Sequence, residues 1–358
     1  MAIAGFLACK KESKKGGTVA GAFNRKAILV NMADSLIIPG YRDFEIKAME
    51  LDTKASLFAG RPTEDNLSAL RTSWLNAYTT WQRVALWNIG PGMSEAMLSN
   101  LNTYPTNVVK IEADIDAGGY NLNDNFAKAV QGFPALEYLI YGDNKDAISI
   151  ITAFSDAKRA KYLTDLTGKI SALASKVKGE WGNSYRNTFV NAEGLDRGSS
   201  LGELFNNTFL PYVEMHNREA KFGIPAGQRT PQTFPEKVEG YYSKTYSKQL
   251  ALAAWEAYKG AWLGTGYTTG KTGSSLADYV AYMDSKKSTQ VYTKLRNQLD
   301  AIGSTIKGLD NNFNSVAKNN PEKLKEVWSA YQSVITTVKT DIASALSVTI
   351  SYVDNDGD

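Results

Sequence analysis

A stripe of large apolar side chains at helical spacing places the strongest constraint on how this chain can fold. The stripe consists of Leu67, Leu70, Trp74, Tyr78 and Trp81. Residues three and four positions apart share one face of an α-helix, so this segment predicts a long helix with one apolar side. Thr63 precedes it and is a good N-cap residue. A helix of this kind needs other helices to cover its apolar face, and the stripe therefore predicts a helical bundle.

The same helical pattern continues through the rest of the chain. In the second half it predicts long helices over residues 235–262, 289–306 and 321–346, with a glycine-rich surface loop over 264–275. Residues 348–352 alternate and are β-branched, which predicts one short carboxy-terminal strand. The Leu324-Trp328-Tyr331 pattern repeats the style of Leu70-Trp74-Tyr78. We therefore predict an all-α fold of two helical-bundle domains that arose by duplication.

Breaker residues suggest where these parts divide. We predict a signal remnant and linker over residues 1–18, an amino-terminal bundle over 19–185 and a carboxy-terminal bundle over 186–358. The net charge is only +3 and is dispersed, so we expect no nucleic-acid partner. No apolar run reaches the roughly 20 residues that a membrane-spanning helix needs.

The single cysteine, Cys9, excludes an internal disulfide and a cysteine-rich zinc site. Small and apolar residues lead into Cys9 and a lysine-rich polar run follows it, as at the end of a bacterial lipoprotein signal. Phe6 stands where such signals usually have leucine, and the leading segment is short, which suggests either a mis-assigned start codon or a trimmed sequence. We expect a lipidated Cys9 that anchors the protein to a membrane; the alternative is an unmodified amino terminus with an incidental cysteine.

One apolar run between two glycines, residues 132–142, contains a single carboxylate, Glu137. Pro134 suits the first turn of a helix, and Gly142 is suited to end it. Little of such an apolar helix can face water, so Glu137 must be paired, hydrogen-bonded, protonated or bound to a metal. One interpretation is a core helix whose single acid makes a structural ion pair, and the other is a functional carboxylate.

This run resembles the Gly-x-His-x-x-Glu signature of imelysin-like proteins, a family also described as insulin-cleaving or iron-regulated periplasmic proteins. Gly132 and Glu137 match, but Pro134 stands at the histidine position and has no group that could ligate a metal or titrate. The run from Lys221 to Gly227, the segment 236–239, and Ser199 with Asn206 also look like the family. The resemblance implies two helical bundles with a site in the cleft between them.

On this resemblance we expect a lipid-anchored protein of the bacterial periplasm or outer membrane that is linked to iron or other metal acquisition. It would bind a small ligand, a metal ion or an envelope protein in the cleft. The ligand-binding residues implied are Gly132, Pro134, Glu137, Ser199 and Asn206, with Glu137 as the metal ligand and no catalytic residue. Any cofactor would be a metal ion of unknown identity.

The alternative is a metallopeptidase that uses Glu137, as the family name implies. Catalytic zinc sites normally have three protein ligands, and the chain has one histidine, His216, outside the signature. His216 and Glu219 form a His-x-x-Glu pair in the sequence, which we interpret as a solvent-facing coincidence. The missing signature histidine makes binding the preferred function over peptidase activity.

Overall fold

A computed structural model describes residues 23–352, which form α-helices joined by turns and by short π- and 3₁₀-helical segments. The first nine α-helices are α1 (Arg25–Asn31), α2 (Ile38–Gly60), α3 (Glu64–Val84), α4 (Pro91–Ser94), α5 (Met97–Leu101), α6 (Val108–Ala117), α7 (Gly132–Tyr141), α8 (Ala147–Ala153) and α9 (Ala157–Glu180). The others are α10 (Arg186–Asn191), α11 (Ser200–Glu203), α12 (Ile224–Ala226), α13 (Ser247–Leu263), α14 (Leu276–Lys287), α15 (Val291–Lys307), α16 (Phe313–Asn319), α17 (Glu322–Thr337) and α18 (Ala343–Leu346). The π-helical segments are Met32–Ile37, Trp181–Tyr185, Leu204–Phe209, Tyr212–Gly223 and Val338–Ile342, and the 3₁₀ segments are Asn125–Val130 and Pro235–Lys237.

The predicted all-α class is confirmed, and the predicted carboxy-terminal strand is wrong. Within residues 23–352 the only β contact is an isolated bridge between Thr265 and Thr272. The backbone of residues 349–351 instead bonds to one side chain: the Asn206 amide donates to Thr349 O at 2.9 Å and accepts from the N–H of Ser351 at 2.6 Å. Because Asn206 satisfies these backbone groups, the segment needs no partner strand.

The stripe that begins at Leu67 is the buried face of α3. All five of its side chains are at most 1% exposed. The Thr63 hydroxyl caps the helix by accepting from Asn66 N at 3.3 Å, as predicted. Helix α3 packs on α2, and α2 also packs along α9, so these three long helices form the core of the amino-terminal bundle.

In the second half, α17 packs on α15 and on the π segment 212–223. The two halves are in contact, since α13 packs on α3 and one apolar core runs from Ile28 to Val348. The helical run 157–191 continues through the boundary predicted after residue 185. The division into two domains stays a prediction, and the segment 1–18 with Cys9 lies outside the described residues.

The predicted helix over residues 235–262 is wrong in its first part. Helix α13 begins only at Ser247, and residues 238–246 form a series of turns. Gly240 and Lys244 have φ angles of 74° and 60°, which a continuous right-handed helix does not allow. This break creates the turn that lies against α7. Within residues 23–352, none of the helices combines the length and the apolar character that crossing a membrane requires.

Candidate functional site

The signature run forms helix α7, which is buried except at its end. Gly132 has a φ of 77°, and a Cβ there would lie 2.3 Å from Leu101 O. Only glycine fits this backbone conformation and this close approach. The Trp74 indole donates to Phe133 O at 3.1 Å, and Gly142, with a φ of 65°, follows the last residue of the helix. The local sequence therefore fixes both ends of the helix that carries Glu137.

Glu137 is 2% exposed and lies against the turn at residues 242–243 from the other half of the chain. Its Oε1 accepts from the backbone N–H of Ser243 at 2.9 Å. Among residues 23–352, no ion pair joins Glu137 to a basic side chain, so it does not make the structural ion pair that was the alternative interpretation. Burial raises the pKa of Glu137 to about 7, against the lowering effect of hydrogen bonds from Ser243 and the Tyr242 backbone.

Glu137 opens onto a cavity of about 280 Å³ between the two halves, which we call the acidic cavity. Four carboxylates line it: Glu137, Asp143, Glu236 and Glu239. The remaining lining comes from residues 104–106, Pro134 and the 238–242 turn, and within the described part of the chain it includes no lysine, arginine or histidine. Asp143 and Glu236 are exposed at its rim, whereas Glu137 and Glu239 are buried in its wall.

A hydrogen-bonded network surrounds Glu239, which is 3% exposed. Its Oε1 accepts from Tyr78 OH at 3.0 Å, from Gln82 Nε2 at 2.7 Å and from Asn102 Nδ2 at 2.7 Å. Its Oε2 forms an ion pair with Lys221, which also donates to Gln82 Oε1 at 2.9 Å. The ion pair lies within the carboxy-terminal half, and its hydrogen bonds to Tyr78, Gln82 and Asn102 join it to the amino-terminal half and fix one wall of the acidic cavity.

The structure brings together only part of the residue set that the family resemblance implied. Pro134 and Glu137 line the acidic cavity, while Gly132 sits beneath it against Leu101. Ser199 is the N-cap of α11 and bonds to Gly202 N and Asp196 O. Asn206 bonds to the backbone of Thr349, Ser351 and Tyr352. Neither Ser199 nor Asn206 reaches the acidic cavity, because the backbone takes up their polar groups.

His216 was expected to face solvent, and that expectation is wrong. It is half-buried, stacks on Tyr212 with ring centroids 5.6 Å apart, and lines a different cavity with Met215 and Tyr104. Burial lowers its pKa to about 4, helped by the positive charge of Lys221. Glu219 does not pair with it, since its Oε1 accepts from Arg218, Arg229 and Trp328.

A metal site centred on Glu137 lacks a complete ligand set in the described part of the chain. No three histidine, cysteine, aspartate or glutamate side chains come together there closely enough to hold a bare metal ion. Glu137 and Glu239 share the acidic cavity, but Glu239 is already paired with Lys221.

Sequence analysis missed the contribution of the 236–243 turn, because it assigned those residues to a helix. The signal was present: Glu236-Lys237-Val238-Glu239 was among the segments that resemble the family, and Gly240 follows it directly. Gly240 after this segment was a signal for a turn rather than a continuous helix.

The fold and the cavity define an all-α protein with a carboxylate-lined cavity between two helical halves. A family model described as imelysin, Peptidase_M75, matches residues 37–340, and the chain belongs to this family.

Known proteins agree with this assignment. Iron-regulated protein A of Synechococcus elongatus is 23% identical over 240 residues, which are 63% of this chain and 62% of that protein. The chain therefore matches less than two thirds of that relative's length. Among solved structures, an imelysin-like protein from Psychrobacter arcticum has a TM-score of 0.70 at 17% identity, covering 93% of this chain and 100% of that one. A protein named as an iron-regulated protein A precursor, from Parabacteroides distasonis, has a TM-score of 0.73 at 16% identity, covering 91% and 97%. At these identities the two structures show a shared fold.

Proposed function

We propose that this protein is a binding protein of the cell envelope, linked to iron or other metal acquisition, that holds a divalent metal ion in the acidic cavity. The observation that carries the proposal is the lining of that cavity: among the described residues, four carboxylates and no basic side chain line it, and of the four only Glu239 is in an ion pair. The name of the Synechococcus relative, iron-regulated protein A, supports a role connected with iron.

The chemistry of Glu137 suits reversible capture of a cation. With a pKa of about 7, its carboxyl group is partly protonated at neutral pH. A bound cation would stabilise the ionised form and displace that proton. The Ser243 N–H holds Oε1 in place, so the carboxylate is positioned before the cation arrives.

The size of the cavity favours an ion that keeps part of its water shell. About 280 Å³ is several times the roughly 30 Å³ that one water occupies in the liquid. Small hard cations commonly keep several waters and use only one or two protein carboxylates. Such binding does not need the compact cluster of three ligands that the described residues lack.

The envelope location rests on Cys9 and its flanking residues. We infer that Cys9 is lipidated and that the lysine-rich segment behind it is a tether. The word precursor in the name of the Parabacteroides protein supports export for that relative. Mass spectrometry of the protein purified from its native membrane tests the anchor: a diacylglycerol adduct on Cys9 is expected.

Peptidase activity has less support from the site. A catalytic zinc normally has three protein ligands and an open position for water. Pro134 replaces the signature histidine, and His216 lines a different cavity from Glu137. Binding therefore fits the residues present better than hydrolysis.

Titration calorimetry with Mn²⁺, and with Fe²⁺ under anaerobic conditions, tests the proposal. We expect one binding site per chain at pH 8 and a loss of affinity of roughly tenfold or more in Glu137→Gln, since even outer-shell groups change metal affinity about 10–100-fold. Glu326→Gln is the matched control, because Glu326 is exposed on α17 and does not line the acidic cavity.

Two results would overturn this function. If Glu137→Gln binds Mn²⁺ and Fe²⁺ as tightly as wild type does, the metal is not bound in the acidic cavity. Chelator-sensitive cleavage of denatured casein, abolished by Glu137→Gln, would establish the metallopeptidase instead. Thermal unfolding of each variant distinguishes a lost ligand from a lost fold.

A further inference from the structure

A second cavity of about 380 Å³ lies beneath the glycine-rich loop, where that loop meets the amino-terminal half. Its functional lining is Arg83 on α3, Trp255 and Lys259 on α13, Tyr267 in the loop, and Lys307 at the end of α15. We call it the cationic cavity. It shares no lining residue with the acidic cavity.

The loop that covers the cationic cavity is held in place by contacts from the first half of the chain. The Tyr267 N–H donates to Ser35 O at 2.7 Å, and its hydroxyl donates to Asp43 Oδ2 at 2.5 Å. The Asn31 amide donates to the carbonyls of Gly264 and Ser274, both at 3.0 Å. The aromatic side chain of Tyr267 is thus fixed as one wall of the cavity rather than displayed on a free surface.

Positive charge is concentrated on the aromatic walls. The Arg83 guanidinium lies 4.1 Å from the centroid of the Tyr267 ring. The ammonium groups of Lys259 and Lys307 lie 5.3 and 5.4 Å from the centroid of the same Trp255 ring. Both lysines therefore place positive charge beside the wall of the cavity that Trp255 forms.

Among the lining residues, negative charge offsets this only in part. Lys259 bonds to Asp300 Oδ1 at 2.6 Å, and Glu256 is the one carboxylate among the lining residues. Within residues 23–352, no ion pair joins Arg83 or Lys307 to an acid. Among its described lining side chains the cavity therefore has three cations and one carboxylate, while Asp300 and Asp43, which bond to Lys259 and to the Tyr267 hydroxyl, lie outside the lining.

We propose that the cationic cavity binds a small organic anion with a flat, apolar body. Leu36, Trp87 and Leu263 give the cavity apolar lining beside its charged groups. Ligand sites of this size are mostly apolar with a few placed polar groups, and a bare inorganic anion would leave that apolar lining uncovered. The carboxylate or sulfonate of the ligand would lie among Arg83, Lys259 and Lys307.

Equilibrium dialysis with 2-naphthoate and with its neutral analogue 2-naphthamide tests the proposal on the full chain. We expect naphthoate to bind at least about tenfold more tightly than naphthamide. Lys307→Gln and Lys259→Gln should each weaken naphthoate binding roughly two- to fivefold, as partly exposed charge pairs do. Lys287→Gln is the matched control, because Lys287, like Lys307, is the exposed last residue of its helix but does not line the cavity.

Three results would overturn it: naphthamide binding as tightly as naphthoate, naphthoate affinity unchanged in both lining variants, or inorganic phosphate competing at the same concentration as naphthoate. Glu137→Gln should leave naphthoate binding unchanged, since Glu137 lies in the acidic cavity. The outcome of this test is therefore independent of the outcome of the metal-binding test.

Discussion

The backbone N–H of Ser243 donates to the Oε1 of Glu137 at 2.9 Å, and the two residues are 106 positions apart in the chain. This bond joins the signature helix of one half to a turn of the other. It orients a carboxylate that burial would otherwise hold in its neutral form. The position of Glu137 therefore depends on how the two halves meet.

The raised pKa of Glu137 predicts a specific pH dependence of stability. The pKa is about 7 in the folded protein and near 4.5 when the chain is unfolded. Between these values the folded state keeps a proton that the unfolded state has released, so the free energy of unfolding falls as pH rises. One group with this shift lowers the free energy of unfolding by about 3 kcal/mol in total between these pH values, at about 1.4 kcal/mol per pH unit.

Urea unfolding of wild type and Glu137→Gln from pH 4.5 to pH 8 measures this contribution. Glutamine keeps an acceptor for Ser243 but does not titrate. The variant should gain stability relative to wild type as pH rises, whereas Glu326→Gln should run parallel to wild type. Parallel curves for Glu137→Gln and wild type would mean that Glu137 titrates normally.

Metal affinity should depend on the protonation state of Glu137. Below pH 7 a metal ion must displace the proton of Glu137, so Mn²⁺ affinity should rise by up to about tenfold per pH unit and level off above pH 7.5. Calorimetry in buffers of different ionisation enthalpy should show close to one proton released per ion at pH 6. Affinity that does not change between pH 6 and pH 8 would place the ion elsewhere.

The Lys221–Glu239 ion pair should be essential for stability. Both side chains are 3% exposed. Lys221→Met would leave the Glu239 charge without its cation, and breaking a buried pair in this way costs about 3–5 kcal/mol. Lys318→Met, at an exposed position on α16, should change the free energy of unfolding by less than about 0.5 kcal/mol. The double variant Lys221→Met/Glu239→Gln should recover part of the loss; no recovery would mean that packing, and not the unpaired charge, is responsible.

Gly132 and Gly60 form a matched pair of glycines for substitution by alanine. Gly132→Ala should destabilise the protein by about 1–3 kcal/mol or more, because the φ of 77° is strained for alanine and the new Cβ would meet Leu101 O. Gly60, at the end of α2, has nothing within 4 Å of a new Cβ, so Gly60→Ala should be neutral or stabilising by up to about 1 kcal/mol. Thermal unfolding of both variants measures the difference, and equal melting temperatures would contradict the assigned role of Gly132.

Local patterns predicted the helices well, because their causes lie within a few residues. The Leu67 stripe and its Thr63 cap are examples, and both ends of α7 followed from Gly132, Pro134 and Gly142. The burial of Glu137 was also predictable, since no face of so apolar a helix could remain exposed.

Contacts between distant parts of the chain were not predictable in this way. The turn at Gly240 breaks a helix-like pattern because Glu239 pairs with Lys221, and the strand predicted over 348–352 does not form because Asn206 satisfies its backbone. The half-buried position of His216 likewise depends on contacts with residues that are distant in the sequence. In each case a tertiary contact overrides the local preference.

His216 predicts an acid sensitivity opposite in sign to the effect of Glu137. Its folded pKa of about 4 lies below its usual 6.5, because burial and the nearby Lys221 disfavour the charged ring while Glu239 opposes them. Between these values the unfolded chain binds a proton that the folded protein does not, so stability is lost as pH falls below 6.5. His216→Gln should remove this loss and leave the opposite effect of Glu137. Between pH 4.5 and 6.5 the stability of the variant should therefore decline more steeply with rising pH than that of wild type. Because the two groups offset each other in that window, wild type and the double variant Glu137→Gln/His216→Gln should both show nearly flat curves, while the two single variants slope in opposite directions. A double variant as steep as either single variant would assign the pH dependence to other groups.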